Sequence, residues 1–328
     1  MIKQPSQLLR KAIAKSRPEL SESSINNYIT NLRMMLKKCH PDQQTKQLTT
    51  IFLKDFSNIK KCIDEISNKN TQKNRLTAVL VALGSDDKKN EKLIDKYQAL
   101  LKTIMIKVNE QINSQEKTKV QKDNWIDFNT VKGILNKMLT DINDVELWTK
   151  PNLSKTEYAM LQKYVLLRFY VAHPVRNNVA DTKLISQKEY DDLKNKEKNF
   201  LVKDKLSYKF YLNNFKNVKR IGAKVLTIDQ ALCKILTRWF KINKSGYFFT
   251  LNDKITPITS NHITKILNSI FKLYANGKKI STSMLRHIQI SDDLKEQPTI
   301  REKEAKEQKI EDKYQHSSNM NDTYRKVN

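Results

Sequence analysis

Glycine and proline are both scarce in this chain, with 5 and 7 copies among 328 residues. Turn-rich β architectures need many of these residues, so their scarcity argues against a β-sandwich or barrel and favours long helices. The length is sufficient for two domains of ordinary size. Apolar residues make up 38% of the chain, which is enough for two modest cores.

Cysteine is also rare. Cys39, Cys62 and Cys233 are far apart in the sequence and form no CxxC pair. This pattern predicts neither a disulfide framework nor a zinc site, and it favours a reducing compartment. No apolar run reaches the roughly 18 residues of a membrane span, and the N-terminal segment lacks the apolar centre of a signal peptide. We therefore expect a soluble, intracellular protein with no membrane partner.

Acidic residues are few relative to basic ones. The chain has 35 Asp and Glu against 61 Lys and Arg, and its formal net charge is +26. Such an excess is typical of proteins that bind polyanions, because each phosphate contact releases condensed counterions. The alternative is a lysine-rich composition whose charges lie on solvated faces. The charge favours a nucleic acid as the partner.

The first third of the chain has helical periodicity. Residues 21–39 carry apolar side chains at three- and four-residue steps, which predicts one amphipathic helix. Residues 51–66, 70–84 and 90–112 predict three more. The segment 113–124 is polar and charged without periodicity, so it is interpreted as a linker. We predict a helical domain over 1–112, a linker over 113–124 and a second domain over 125–328.

The second domain mixes helices with a small β element. Ser154 and Glu157 form a predicted capping box at the start of an apolar helix that ends near Pro174. Residues 205–215 and 223–229 are rich in β-formers, and a basic turn separates them, which predicts a β-hairpin. Further helices are predicted from residue 230 onward. The expected fold class is therefore mainly α with a small β-sheet, an α+β fold.

Four short motifs of the second half carry chemistry when taken together. They are "YVAHPVRNN" with Arg176, "FKNVKRIG" with Lys216, "STSMLRHIQIS" with Arg286, and the ending "YQHSSNMNDTYRKV" with His316 and Tyr324. Metal-free cleavage of a phosphodiester needs a nucleophile, cations on the non-bridging oxygens and an acid for the leaving oxygen. Tyrosine, arginine and lysine suit these three tasks.

The order Arg, Lys, Arg, His, Tyr resembles that of the tyrosine recombinases, or integrases. The resemblance covers about the last 200 residues, and it is closest to the integrase-like proteins of virophages, giant viruses and related mobile elements. The helical first third is similar to the core-binding domain of this family, including the stretch "NTQKNRLTAVL". The resemblance implies a core-binding domain and a catalytic domain that close as a C-shaped clamp around double-stranded DNA.

The resemblance also implies a role for each residue. Arg176 and Arg286 would hold the scissile phosphate, and His316 would hydrogen-bond a non-bridging oxygen. Lys216 would protonate the leaving 5′ oxygen. Tyr324 would attack phosphorus and form a 3′-phosphotyrosine. The family needs no metal or other cofactor, and four protomers act on two paired DNA sites.

The chain departs from the family pattern at a few positions. Many members carry His or Lys three residues before the second arginine to help deprotonate the tyrosine, whereas this chain has Ser283. His287 is interpreted as a packed structural histidine, and both residues are kept as auxiliary candidates. Asn177 stands where a second arginine is common, and only eight residues separate His316 from Tyr324.

Three functions remain open from the sequence. The first is a site-specific recombinase or integrase, which would work in a host nucleus or a viral factory if a virus encodes it. The second is a catalytically impaired DNA-binding protein derived from a recombinase, which Ser283 favours. The third is a relaxing enzyme similar to the type IB topoisomerases, which uses the same tyrosine chemistry without pairing two DNA sites.

Overall fold

The chain forms two compact units in a computed structural model that describes residues 5–43, 48–86 and 90–305. The first unit contains the described residues up to Glu116 and those from Thr299 onward. The second unit is Lys117–Pro298. The boundary between them falls inside the segment that was predicted to be a linker.

The first unit is helical throughout its described part. Its helices are α1 (Pro5–Ser16), α2 (Glu22–Cys39), α3 (Phe56–Asp64), α4 (Lys69–Gly84) and α5 (Glu91–Asn113). Each of the last four begins at a polar residue whose side chain accepts a backbone N–H of the first turn, which satisfies a donor that the helix itself cannot pair. The caps are Ser21, Asp55, Asn68 and Asn90.

The core of the first unit follows the predicted apolar stripes. In α2 the stripe buries six residues that lie on one face of the helix: Ile25, Ile29, Leu32, Met35, Leu36 and Cys39. These side chains belong to one cluster with the apolar faces of α3, α4 and α5. Residues 300–305 are also helical and join this unit, where the Ile300 backbone N–H donates to Gln115 Oε1 over 2.8 Å.

The second unit combines helices with one sheet. Its longer helices are α7 (Phe128–Asp144), α8 (Lys155–Ala172), α11 (Gln230–Ile242), α12 (Ser260–Tyr274) and α13 (Thr282–Asp293). Three short helices, α6 (Lys119–Asn124), α9 (Gln187–Asp191) and α10 (Val218–Ile221), lie between them. The strands are β1 (Lys183–Ser186), β2 (Phe200–Asp204), β3 (Ser207–Leu212) and β4 (Lys224–Thr227).

Helix α8 is the centre of the second unit. It contacts α7, α11 and α12, and its buried side chains point in every direction around the helix. The capping box predicted at its start is present, with reciprocal bonds between Ser154 and Glu157 of 2.8 and 3.3 Å. A helix with buried side chains around most of its circumference is typical of a core position, and the end of α8 leads directly into the segment that carries Arg176.

The sheet has the order β1-β2-β3-β4, with β1 parallel to β2 and the other pairs antiparallel. The predicted hairpin is confirmed as β3 and β4, although α10 occupies part of its connection. The strands β1 and β2 were not predicted. Only four residues form β1, and β2 has five, of which the last two are Lys203 and Asp204, so neither shows a clear alternation of apolar and polar side chains.

The fold class is confirmed as mainly helical with a small mixed sheet. The second half of the segment predicted to be a linker, Lys119–Asn124, forms α6 with a complete capping box. This helix belongs to the second unit, where Lys278 Nζ donates to the Asp123 carbonyl over 2.6 Å. Within the part of the chain that the structure describes, no helix combines the length and apolarity that crossing a membrane requires.

Candidate functional site

The segment that carries Arg176 is held by hydrogen bonds on several sides. It leaves the end of α8 and enters a single helical turn over Asn177–Val179. The Tyr170 hydroxyl donates to the Arg176 carbonyl over 3.1 Å, which fixes the backbone at this residue. The Arg176 side chain itself is exposed. The arginine therefore projects from an anchored backbone into solvent.

Asn177 ties this segment to two helices. Its Nδ2 donates to the Ser260 carbonyl over 2.8 Å and to Thr264 Oγ1 over 3.2 Å, at the start of α12. Its Oδ1 accepts from Thr282 Oγ1 over 2.6 Å, at the start of α13. One amide side chain thus joins the Arg176 segment to the first turns of both helices.

Helix α13 carries Arg286 one turn beyond this tie. Gln289, which is buried in the same helix, donates from Nε2 to the carbonyls of Tyr170 and Val171, both over 3.1 Å. These carbonyls belong to the last turn of α8, where no intrahelical donor remains for them. The end of α8 and the body of α13 are therefore held together on both sides of Arg286.

The arrangement brings Arg176 and Arg286 close enough to repel each other. Burial lowers the pKa of the half-buried Arg286 guanidinium, and the positive charge of Arg176 lowers it further. Arg286 Nε is buried and has no hydrogen-bond partner among the described residues. In residues 5–43, 48–86 and 90–305, no ion pair involves either arginine. Within those ranges the two cations have no anion between them.

Lys216 lies in the connection between β3 and β4, and its side chain is exposed. A network of three asparagines links this connection to the Arg176 segment. Asn199 Nδ2 donates to the carbonyls of Asn178 and Asn214 over 3.0 and 2.9 Å, and the Asn214 N–H donates back to Asn199 Oδ1 over 2.8 Å. Lys216 therefore lies two residues after Asn214, whose backbone is tied to the Arg176 segment through Asn199.

The remaining predicted residues divide into two groups. Ser283 and His287 lie on one face of α13 and are both exposed, so the interpretation of His287 as a packed structural histidine was wrong. His316 and Tyr324 lie outside the described residues. The structure thus joins Arg176 to Arg286 and ties the Lys216 connection to them, and it leaves the roles of His316 and Tyr324 as predictions.

His173 is a further titratable group beside the Arg176 segment. It ends α8, and its ring packs against Phe169 with centroids 5.3 Å apart. Burial lowers the pKa of this imidazole, the carboxylate of Asp229 raises it and Arg168 lowers it. The net direction is downward, so His173 is neutral at pH 7 and adds no further cation near Arg176.

Two other kinds of site can be assessed within the described ranges. No group of three or more His, Cys, Asp or Glu side chains there could hold a metal ion. A depression of about 590 Å³ lies between α8, α12 and residues 250–258, and none of the predicted site residues lines it. Its floor is mainly apolar, and Lys163 and Lys265 stand at its edge. It is separate from the arginine pair.

Sequence reasoning missed the residues that position the arginines. Asn177 was treated as a missing arginine, whereas the structure shows it as a bridge between three elements. Its signal was present, because asparagine in a loop commonly hydrogen-bonds backbone and neighbouring side chains. Gln289 and Thr282 gave no such signal, since each occupies an ordinary helical position.

No family model matches the chain, and no curated protein sequence does. The functional argument therefore rests on the residues themselves and on the resemblance of their order to that of the tyrosine recombinases.

Proposed function

We propose that this protein is a DNA strand transferase of the tyrosine recombinase type, which cleaves and rejoins DNA through a 3′-phosphotyrosine. The supporting observation is the pair Arg176 and Arg286, which is held on a common frame and has no ion-pair partner in the part of the chain that the structure describes. A phosphodiester would supply the missing acceptors for both guanidinium groups. It would also relieve their mutual repulsion, because its charge lies between them.

The proposed reaction uses five side chains. Arg176 and Arg286 bind the non-bridging oxygens, with His316 as a third donor. The phenolic oxygen of Tyr324 attacks phosphorus, and the bond to the 5′ oxygen breaks. Lys216 gives its proton to that oxygen, so the products are a phosphotyrosine and a free 5′ hydroxyl. Attack by a 5′ hydroxyl of another strand reverses these steps and restores the tyrosine.

The finer organisation is part of the same proposal. The helical first unit acts as the core-binding domain and the second as the catalytic domain, in a C-shaped clamp on double-stranded DNA. The net charge of +26 supports a DNA partner, because DNA binding through phosphates scales with the number of cations that reach them. Four protomers act together on two paired sites.

One observation favours the second candidate, a DNA-binding protein that has lost its activity. Ser283 is exposed on α13 where a general base is expected, and a serine does not accept a proton at neutral pH. Such a protein keeps the phosphate site and binds DNA without forming a covalent bond to it.

Covalent trapping tests the proposal. The protein is mixed with nicked duplexes drawn from the ends of the element that carries its gene, denatured, and examined for a protein–DNA band. We expect a band in the wild type and its loss in Tyr324→Phe. Tyr314→Phe is the matched control, since it makes the same change ten residues earlier in the chain, and it should keep the band.

Two results would decide against a recombinase. Absence of a band with DNA binding intact supports the inactive DNA-binding protein. The topoisomerase-like enzyme is supported if the wild-type protein gives a band and relaxes supercoiled DNA but never exchanges strands between two duplexes.

A further inference from the structure

The core of the first unit brings together two cysteines that are distant in the sequence. Cys39 is the last residue of α2 and Cys62 lies in α3, and both are free thiols with 6% of their surface exposed. Cys62 is a close neighbour of Cys39, because it acts on the pKa of the Cys39 thiol. Although 22 residues separate the two cysteines in the chain, the packing of α2 against α3 brings them together.

Asn58 holds the two cysteines in this arrangement. Its Nδ2 donates to the Cys39 carbonyl over 2.8 Å, and its Oδ1 accepts from Cys62 Sγ over 3.9 Å. One amide thus binds the backbone of one cysteine and the thiol of the other. Because Asn58 and Cys62 are one turn apart in α3, the contact fixes the end of α2 against this helix.

The surroundings of the pair include an unusual cation. Arg75 of α4 is close enough to act electrostatically on Cys39, and its Nε and Nη1 are buried with no hydrogen-bond partner in the described part of the chain. Burial and the contact with Cys62 raise the pKa of the Cys39 thiol, whereas the charges of Lys38 and Arg75 oppose this rise. The thiol is therefore protonated at pH 7, and its oxidation should be slow.

We propose that Cys39 and Cys62 form an oxidation site, in which hydrogen peroxide converts the thiol pair into a disulfide that links α2 to α3. Peroxide is small enough to reach thiols that are almost fully buried. One cysteine gives up its proton, and its thiolate sulfur attacks a peroxide oxygen; the O–O bond breaks, which gives a sulfenic acid and a hydroxide that takes up that proton and becomes water. The second thiolate then attacks that sulfur and displaces hydroxide, which takes up a proton. Two thiols and one peroxide thus yield one disulfide and two waters.

The bridge should stabilise the folded unit. It would close the loop between residues 39 and 62 and so restrict the unfolded chain. This proposal is independent of the proposed DNA chemistry, because Cys39 and Cys62 belong to the first unit and neither arginine of the candidate site does.

The test uses the full-length protein, reduced and then treated with peroxide without denaturant. We expect a mass loss of two hydrogen atoms and a cross-linked peptide pair containing Cys39 and Cys62. The midpoint of thermal unfolding should rise by about 5 °C, and dithiothreitol should reverse both changes. Cys62→Ser should lose the cross-link and the rise in midpoint. Cys233→Ser, which changes a buried cysteine of the other unit, should keep both.

Three outcomes would overturn the proposal. They are addition of oxygen at either cysteine without a cross-link, cross-linking that needs denaturant, and a fall in the unfolding midpoint after the bridge has formed. A loss of DNA cleavage would neither support nor contradict the proposed disulfide, because the test measures mass and thermal stability.

Discussion

Two half-buried arginines, one in each unit, differ mainly in their neighbours. Arg286 of the second unit and Arg75 of the first both have a buried Nε without a hydrogen-bond partner among the described residues. Arg286 stands beside another cation, Arg176, whereas Arg75 stands beside the thiol of Cys39. A pair of cations favours binding of an external anion, and a cation beside a thiol favours the thiolate.

A third arginine, Arg168, has a carboxylate partner. Arg168 lies in the same helix that leads to Arg176, and its Nη2 pairs with the carboxylate of Asp229 over 3.4 Å. The second unit thus contains one arginine with a carboxylate partner, Arg168, and two arginines without one among the described residues, Arg176 and Arg286. An arginine in the sequence can therefore be a structural ion-pair partner or a free anion-binding group, and only its neighbours in the fold distinguish the two.

The largest expected effect is that of Arg286→Lys. Lysine keeps the charge but lacks the planar fork that can hold two oxygens, so we expect covalent capture of nicked DNA to slow by about 100-fold or more. The rate is measured by quenching the trapping reaction over time. DNA binding should weaken far less, because Arg286 is one of 61 lysines and arginines in the chain and binding through phosphates draws on many cations.

Arg168→Lys is the matched control for this change. Its ion pair is partly exposed, so the substitution should alter the free energy of unfolding by about 0–1 kcal/mol and leave the capture rate within about fivefold. Equal loss of capture in both variants would mean that Arg286 acts through the fold rather than on phosphate.

A smaller effect is expected from Thr282→Val. The change keeps the shape of the side chain and removes the 2.6 Å hydrogen bond to Asn177. We expect the free energy of unfolding to fall by about 1 kcal/mol and capture to slow by about tenfold, since the Arg176 segment loses one of its ties to α13.

Thr140→Val serves as the comparison for that variant. Thr140 is exposed in α7 of the same unit, and its hydroxyl only bonds the Asn136 carbonyl of its own helix. It should leave capture unchanged. If Thr282→Val also leaves capture unchanged at equal stability, then Asn177 does not position Arg176 for the reaction.

The smallest effect concerns Arg75→Gln. Removing this charge should slow peroxide oxidation of the Cys39 and Cys62 pair by about threefold, because the thiolate of Cys39 becomes rarer. Mass spectrometry over time gives the rate. Arg33→Gln, an exposed change in α2, should not alter it. Faster oxidation in Arg75→Gln would show that Arg75 limits access to the thiols instead of favouring the thiolate.

Local pattern predicted some parts of the molecule well and others poorly. The stripe of α2 and the capping box of α8 were both readable, because each depends on residues three or four positions apart. The strand β1 was not, since its pairing with β2 and its bridge to Tyr247 join distant segments. The proximity of Cys39 and Cys62 was equally hidden, because it depends on how α2 packs against α3.

By itself, the sequence determined the class of fold and the excess of positive charge, which follow from periodicity and composition. It proposed the candidate residues only through the resemblance of their order to that of the tyrosine recombinases. Only the tertiary structure decided that Arg176 and Arg286 lie near each other without a counterion among the described residues, that Asn177 joins their segments through Thr282, and that two remote cysteines are neighbours. Each of these depends on long-range packing, which local pattern does not encode.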